Sequence, residues 1–338
     1  MHATTIAVDL AKSVFQVSIA NQAHKIIDRK RLTRSQFQRF LAQQEPTTVV
    51  MEACATSHYW SQYAQLHGHT PKQLHAFYVR PYVRRNKTDA ADADALIRAN
   101  QDPHLLPIPV KQPGQQALQG LHRIRQQLSQ SRTARINLAR ALLAEFGISL
   151  ARGAAGIAGK LYEQAEHLPP SLQSSFLEIV TDINDLKSRL TQLDKRLEAI
   201  ALADHTAQQL MTIPGVGVIT ATALIASVPN IHIFKKGRQF AAWLGVTPRE
   251  HSSGNTRRLG RISKQGNEYL RTLLVHGSRS VMLQTHRQFA SSKPLSTMQR
   301  WIMKLEETKK RNVVTVAIAN KLARTIWATW VFDQPYSP

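Results

Sequence analysis

The chain has 338 residues with 44 Lys and Arg against 22 Asp and Glu, which gives a formal net charge of +22 and a pI near 10.6. A surface this positive gains free energy by displacing counterions from a phosphate backbone, so nucleic acid is the expected partner. The sequence argues against a membrane protein, because no apolar run approaches the roughly 20 residues that span a bilayer. It also argues against a disulfide-bonded or cysteine-zinc protein, because Cys54 is the only cysteine.

Hydrophobic pattern and charge divide the chain into three regions, which we predict to be domains. Residues 1–113 alternate strand-like and helix-like stretches, residues 114–204 are helical with a heptad pattern, and residues 205–338 are mostly helical and strongly basic. The first residues lack the charged and apolar segments of a signal peptide, so we expect a cytoplasmic protein.

Short β-rich stretches and amphipathic helices follow one another through the first region. The predicted strands are Thr4–Asp9, Val14–Ile19, His24–Ile27, Thr47–Met51 and Gln73–Phe77, with helices capped by Thr33 and running over Ser57–Leu66. This order, βββαβαβ, is that of the ribonuclease H fold, in which the first and fourth strands are adjacent and parallel. Asp9 and Glu52, each at the carboxyl end of its strand, are therefore predicted to be neighbours.

Two further acids, Asp89 and Asp92, stand out in a chain that is short of acid. A helix beginning near Thr88 carries both, and their i, i+3 spacing places them on one face. Each of the four carboxylates has an ordinary explanation, as a strand end, a turn residue, a helix cap or a first-turn acid. Together they fit better as ligands of magnesium ions that orient a scissile phosphate.

The middle region has a coiled-coil pattern. Apolar residues alternate spacings of four and three through four heptads, and an upstream helix repeats the pattern less regularly. Two helices paired within one chain would explain it, but the regularity favours pairing between protomers. The repeat consists of Leu172, Phe176, Ile179, Ile183, Leu186, Leu190, Leu193, Leu197 and Ile200.

The third region concentrates the positive charge, with 17 Lys and Arg against 4 Glu between Lys235 and Arg311. Its segment Ile213–Thr220 is similar to the hairpin of a helix-hairpin-helix element, in which Gly215 and Gly217 would let backbone N–H groups approach a phosphate. A plain glycine-rich connection between helices is the alternative.

The stretch from Thr247 to Arg258 is predicted to be a loop, with Ser252, Ser253 and Gly254 among cations. Serine is a poor nucleophile without a base, a metal or a polarised phosphate, so its chemistry alone favours a solvated loop that contacts phosphate. The predicted nucleic-acid contacts are Lys87, Gly215, Gly217, Arg249, Arg257, Arg258, Arg261 and Lys264.

Several motifs in this order resemble DEDD-type, Piv-like insertion-sequence transposases, the family of bridge-RNA-guided serine recombinases. The resemblance covers nearly the whole chain. Its motifs are Ala7–Lys12, Met51–Ala53, Asn86–Ala93, Ile213–Gly217, Phe240–Arg249, Ser253–Gly254 and Ile262–Gly266.

This resemblance implies a RuvC-like domain over 1–113, a coiled coil and a C-terminal transposase domain, acting as a dimer or tetramer on donor and target DNA. Asp9, Glu52, Asp89 and Asp92 would bind Mg²⁺, or alternatively Mn²⁺. Ser253, which directly precedes glycine as in the family, would form a covalent phosphoserine link to DNA. A noncoding bridge RNA encoded by the element would select both DNAs. Ala55, where the family often has glycine, departs from the pattern and affects a local turn.

The leading hypothesis is a magnesium-dependent serine recombinase that excises and inserts its own element. One alternative is a RuvC-like structure-specific endonuclease or junction resolvase, in which the same carboxylates activate water. Another is a non-catalytic nucleic-acid-binding protein, against which the complete set of four carboxylates argues.

Overall fold

The computed structural model of the chain describes residues 5–83, 89–151, 153 and 155–337, with only the backbone of Asp89 and Ala90. It forms two compact units, Met1–Pro113 and Gly114–Pro338. The division into three functional domains stays a prediction.

The first unit contains a five-stranded mixed sheet. Its strands are β1 (Thr5–Asp9), β2 (Val14–Ala20), β3 (Ile26–Thr33), β4 (Thr48–Glu52) and β5 (Thr70–Leu74). Their order across the sheet is β3-β2-β1-β4-β5, with β1, β2 and β3 antiparallel and with β1, β4 and β5 parallel. The predicted parallel pairing of the first and fourth strands is confirmed.

Two predicted strands differ from the structure. The third continues to Thr33 because it pairs with β2 along its length. The fifth begins at Thr70 and ends at Leu74, so the prediction of a strand to Phe77 was wrong. The backbone turns into a short helix, α3 (Ala76–Val79), because the His75 side chain accepts a hydrogen bond from the Phe77 N–H and caps the helix.

Helices cover both faces of this sheet. On one face, α1 (Arg34–Gln43) and α2 (Ser57–Leu66) bury Phe37 and Trp60 against Phe15 of β2. Thr33 caps α1 in a reciprocal capping box with Gln36, as its sequence position predicted. On the other face, α4 (Asp89–Ala99) packs Leu96 with Ala7 and Val50.

The second unit is mostly helical. Its elements are α5 (Pro113–Glu145), α6 (Ile157–Gln164), α7 (Pro170–Ala203), α8 (His205–Met211), α9 (Val218–Ser227), α10 (Gly237–Trp243), β6 (Pro248–Glu250), β7 (Leu259–Ile262), α11 (Glu268–Ala290), α12 (Thr297–Glu306) and α13 (Arg311–Phe332). The antiparallel pair of β6 and β7 replaces part of the predicted loop. Among the described residues, no helix is both long and apolar enough to cross a membrane.

The heptad repeat of α7 packs against α5 of the same chain. Leu186, Leu190 and Leu193 are buried with Leu128 of α5 in one cluster. Ion pairs of 2.5 Å between Arg125 and Asp194 and of 2.7 Å between Arg135 and Asp182 also join the two helices. The structure therefore supports pairing within one chain over the favoured pairing between protomers, while the oligomeric state stays a prediction.

Candidate active site and nucleic-acid interface

Asp9 and Glu52 end two neighbouring parallel strands. Val8 and Met51 are opposite each other in the register of β1 and β4, and the two acids follow directly. Both side chains are half-buried. They lie two residues beyond Ala7 and Val50, so the strand period of two directs them to the same face of the sheet, which α4 covers. The predicted proximity of these acids thus follows from the sheet topology.

The helix α4 supplies the other two predicted acids. It begins at Asp89, whose side chain lies outside the described residues, and it presents Asp92 half-buried. Among the side chains that are described, no three His, Cys, Asp or Glu residues form a metal site. The set nevertheless fits a divalent ion by donor chemistry, because hard cations prefer carboxylate oxygen and β1 and β4 present two such groups side by side.

A third acid of α4, Asp94, has a different role that sequence reasoning missed. The Ser18 hydroxyl donates a hydrogen bond of 2.6 Å to it, and Arg29 donates two, of 2.9 and 3.2 Å. Burial raises the pKa of Asp94, but the hydrogen bonds from Arg29 and Ser18 outweigh it and hold this pKa below its usual value. Asp94 thus anchors α4 to β2 and β3. Asp94 follows Asp92 by two residues, so it lies on a different face of the helix from the predicted metal ligands. This spacing was the signal that could have identified its separate role.

The predicted nucleophile, Ser253, lies at the exposed tip of the β6–β7 hairpin. Backbone hydrogen bonds in both directions between Ser253 and Thr256, of 3.3 and 3.1 Å, close the turn. Gly254 occupies it with φ +53°, which glycine adopts without strain. Within the described part of the chain, no side-chain hydrogen bond engages the Ser253 hydroxyl, in contrast to that of Ser252.

Ser252 is bound within the hairpin. Its hydroxyl donates to Glu250 Oε1 at 2.7 Å and accepts from the backbone N–H of Arg258 at 3.1 Å. The hydrogen bond from Ser252 lowers the pKa of Glu250, and the charge of Arg257 adds to this effect. A carboxylate stabilised in its ionised form is a weak base. This carboxylate contacts Ser252 instead of Ser253.

The predicted cations of this region surround the hairpin. Arg249 donates to the Ser263 carbonyl at 3.2 Å, and Arg257 pairs with Glu250 at 3.3 Å. Arg258 is exposed. Arg261 and Lys264 line a groove of about 1450 Å³ between the hairpin and α13. Lys87 lies outside the described residues, so its predicted contact stays a prediction.

The two glycines of the hairpin between α8 and α9 have different surroundings. Gly215, with φ +87°, lies against α11, where an added Cβ would come within 2.9 Å of the Gly277 carbonyl oxygen. Gly217 is exposed and precedes α9, whose first N–H groups receive no side-chain cap. Gly215 therefore packs closely on α11, while Gly217 precedes a helix N-terminus without a side-chain cap, and the predicted phosphate contacts of both stay predictions.

Comparison with known proteins relates both units to transposases. The family model described as "Transposase IS116/IS110/IS902 family" matches residues 207–293, and another, described as "Transposase" and of the DEDD type, matches residues 6–148. A "Probable family 20 transposase" of Pseudomonas aeruginosa is 39% identical over all of both chains. The transposase for IS1111A of Coxiella burnetii is 36% identical over 98% of this chain and 90% of its own. The transposase for IS1328 of Yersinia enterocolitica is 34% identical over 96% of each.

Proposed function

The chain belongs to the IS116/IS110/IS902 family of insertion-sequence transposases, which cleave and transfer DNA strands, and we propose that its nucleophile is the hydroxyl of Ser253. In this proposal Ser253 Oγ forms a bond to phosphorus, and the phosphorus loses its bond to one sugar oxygen. The proton of the serine hydroxyl is released, and the sugar oxygen leaves as a free hydroxyl. A hydroxyl of the second DNA then displaces the serine and rejoins the strand.

The observation that supports Ser253 is the contrast between the two vicinal serines. Ser252 uses its hydroxyl to hold the hairpin together through Glu250 and Arg258. Ser253 lies at the tip, exposed, and is followed by a glycine with no Cβ to obstruct a phosphate. Arg258 and Arg261 of the hairpin are exposed, and in this proposal they attract the DNA backbone.

In the same proposal Asp9, Glu52, Asp89 and Asp92 hold a divalent ion, Mg²⁺ or Mn²⁺. The ion would neutralise charge on the phosphate oxygens during strand cleavage. The support is the adjacency of β1 and β4, which brings the first two acids to one edge of the sheet. Asp94 keeps the helix that carries the other two on the same face.

The proposal also includes a bridge RNA and a dimer or tetramer of the chain. The positive charge of residues 235–311 supports binding of a nucleic-acid backbone, and the guide RNA follows from the family resemblance alone. Sequencing the RNA that copurifies with the protein tests the guide. Enrichment of a transcript from the element itself is expected, and purified protein that recombines DNA after complete removal of RNA would contradict it.

The alternative function is a RuvC-like endonuclease in which the carboxylates activate water. It is favoured by the weak basicity of Glu250, the carboxylate that accepts the hydrogen bond of Ser252. A suicide DNA substrate, which traps a covalent intermediate, separates the two functions. The recombinase gives a protein–DNA adduct, whereas hydrolysis gives free DNA ends and no adduct.

Matched variants assign the nucleophile. Ser253→Ala is expected to lose the adduct while it still binds DNA, and Ser252→Ala is expected to keep the adduct. Mass spectrometry of the adduct identifies the modified serine. Phosphate attached to Ser252, or an adduct that persists in Ser253→Ala, would contradict the assignment.

A further inference from the structure

A row of side chains crosses the sheet from Asp9 to its outer edge. In the register of the strands, Asp9 is opposite Gln16 of β2, and Gln16 is opposite Arg31 of β3. Residues opposite each other in an antiparallel pair project to the same face, so all three lie on the face that α4 covers in part. Two strand spacings, roughly 10 Å, separate the backbones of Asp9 and Arg31.

The neighbouring cations of β3 are already neutralised by acids. Arg29 is held by Asp94 at 2.9 Å, and Lys30 pairs with Asp28 at 2.9 Å on the opposite face of the sheet. Arg31 is exposed, and no acid of the described residues pairs with it. Its guanidinium charge is therefore not offset by an acid of the described residues, and it lies on the same face of the sheet as Asp9, two strands away.

Gln16 occupies the position between Arg31 and Asp9. It is half-buried, and its amide forms no hydrogen bond within the described part of the chain. An amide donates hydrogen bonds to phosphate oxygens, and a guanidinium binds them in bidentate fashion. The row thus combines a neutral hydrogen-bond donor, Gln16, with a permanently charged cation, Arg31, and both are in line with Asp9.

We propose that Arg31 and Gln16 form a phosphate-binding row that holds the DNA backbone beside the scissile phosphate. This inference rests on the proposed catalytic role of Asp9. A cluster of carboxylates repels the DNA that it must approach, and a cation two strands away offsets this repulsion. The row directs the strand across β1, β2 and β3 without reading its sequence.

The test compares charge-matched variants of one strand in the full-length protein. Binding of a fluorescein-labelled duplex, one that the wild-type chain cleaves, is measured by anisotropy over a series of salt concentrations. Arg31→Gln is expected to weaken binding about tenfold and to reduce the slope of log K against log salt by about 0.9, the value for one phosphate contact. Lys30→Gln removes the same charge from the other face and is expected to keep the wild-type slope.

Two further variants separate charge from hydrogen bonding. Arg31→Lys should restore the salt slope, because it restores the charge. Gln16→Ala should weaken binding at an unchanged slope, because the amide is neutral. If Arg31→Gln keeps the wild-type slope, or if Lys30→Gln loses as much as Arg31→Gln, the row does not bind phosphate.

Cleavage by Asp9→Ala separates a failure of the proposed active site from a failure of the proposed phosphate-binding row. Normal cleavage by this variant would overturn the proposed active site, even if the salt slopes behave as expected. Loss of cleavage by Asp9→Ala together with a wild-type slope for Arg31→Gln would overturn the row alone. With both proposals correct, Arg31→Gln raises KM for DNA more than it lowers kcat.

Discussion

The buried histidine of the second unit should make its stability depend on pH. His122 of α5 is 3% exposed. Its two ring nitrogens are each 3.1 Å from a hydroxyl, one of Tyr269 on α11 and the other of Thr222 on α9. Burial lowers the pKa of His122 from 6.5 to about 4, with a smaller contribution from the charge of Arg125.

The sign and size of the effect follow from this pKa. A folded-state pKa below the unfolded value means that the fold favours the neutral ring, so stability is lost as pH falls through 6.5 toward 4. Between pH 7.5 and pH 5 the loss amounts to about 2 kcal/mol.

Urea unfolding at a series of pH values measures this loss. Tryptophan fluorescence is a suitable signal, because four of the five Trp lie in the second unit. His122→Gln keeps a neutral hydrogen-bonding side chain. It should remove about 2 kcal/mol of the loss in unfolding free energy between pH 7.5 and pH 5. His276→Gln removes an exposed histidine of α11 and should leave the wild-type dependence. Parallel curves for wild type and His122→Gln would refute the reasoning.

Two other changes test the packing of the site and of the coiled coil. Asp94→Asn should destabilise the first unit by about 1 kcal/mol and reduce cleavage, because α4 loses its ion pair with Arg29, whereas Asp28→Asn should cleave normally. A thermal melt and a cleavage assay measure both effects, and normal cleavage by Asp94→Asn would argue against anchoring. Leu193→Glu should lower the midpoint of thermal unfolding, because it places a charge in the apolar seam between α5 and α7. Leu202→Glu, at an exposed position of α7, should leave this midpoint unchanged. A halved mass by light scattering with an unchanged midpoint would mean that the seam joins protomers.

Local pattern was sufficient for most elements of the first unit. A β-rich stretch predicted β1, apolar–polar alternation predicted β2, a buried apolar run predicted β4, and Thr33 predicted the cap of α1. Strand order then placed Asp9 beside Glu52, since adjacent parallel strands end at the same edge of a sheet. Net charge predicted a nucleic-acid partner, which agrees with the transposase family.

Only the tertiary structure decided which partners the side chains take. Heptads in α7 predicted an apolar seam, but the partner was the α5 helix of the same chain. The sequence also could not separate the engaged Ser252 from the exposed Ser253, and it did not show that Gly215 packs on Gly277. The periodicity of apolar residues specifies which face of a segment is buried, because this pattern is set by residues close together in the sequence. What that face contacts depends on residues far along the chain, and their position is determined by the fold as a whole.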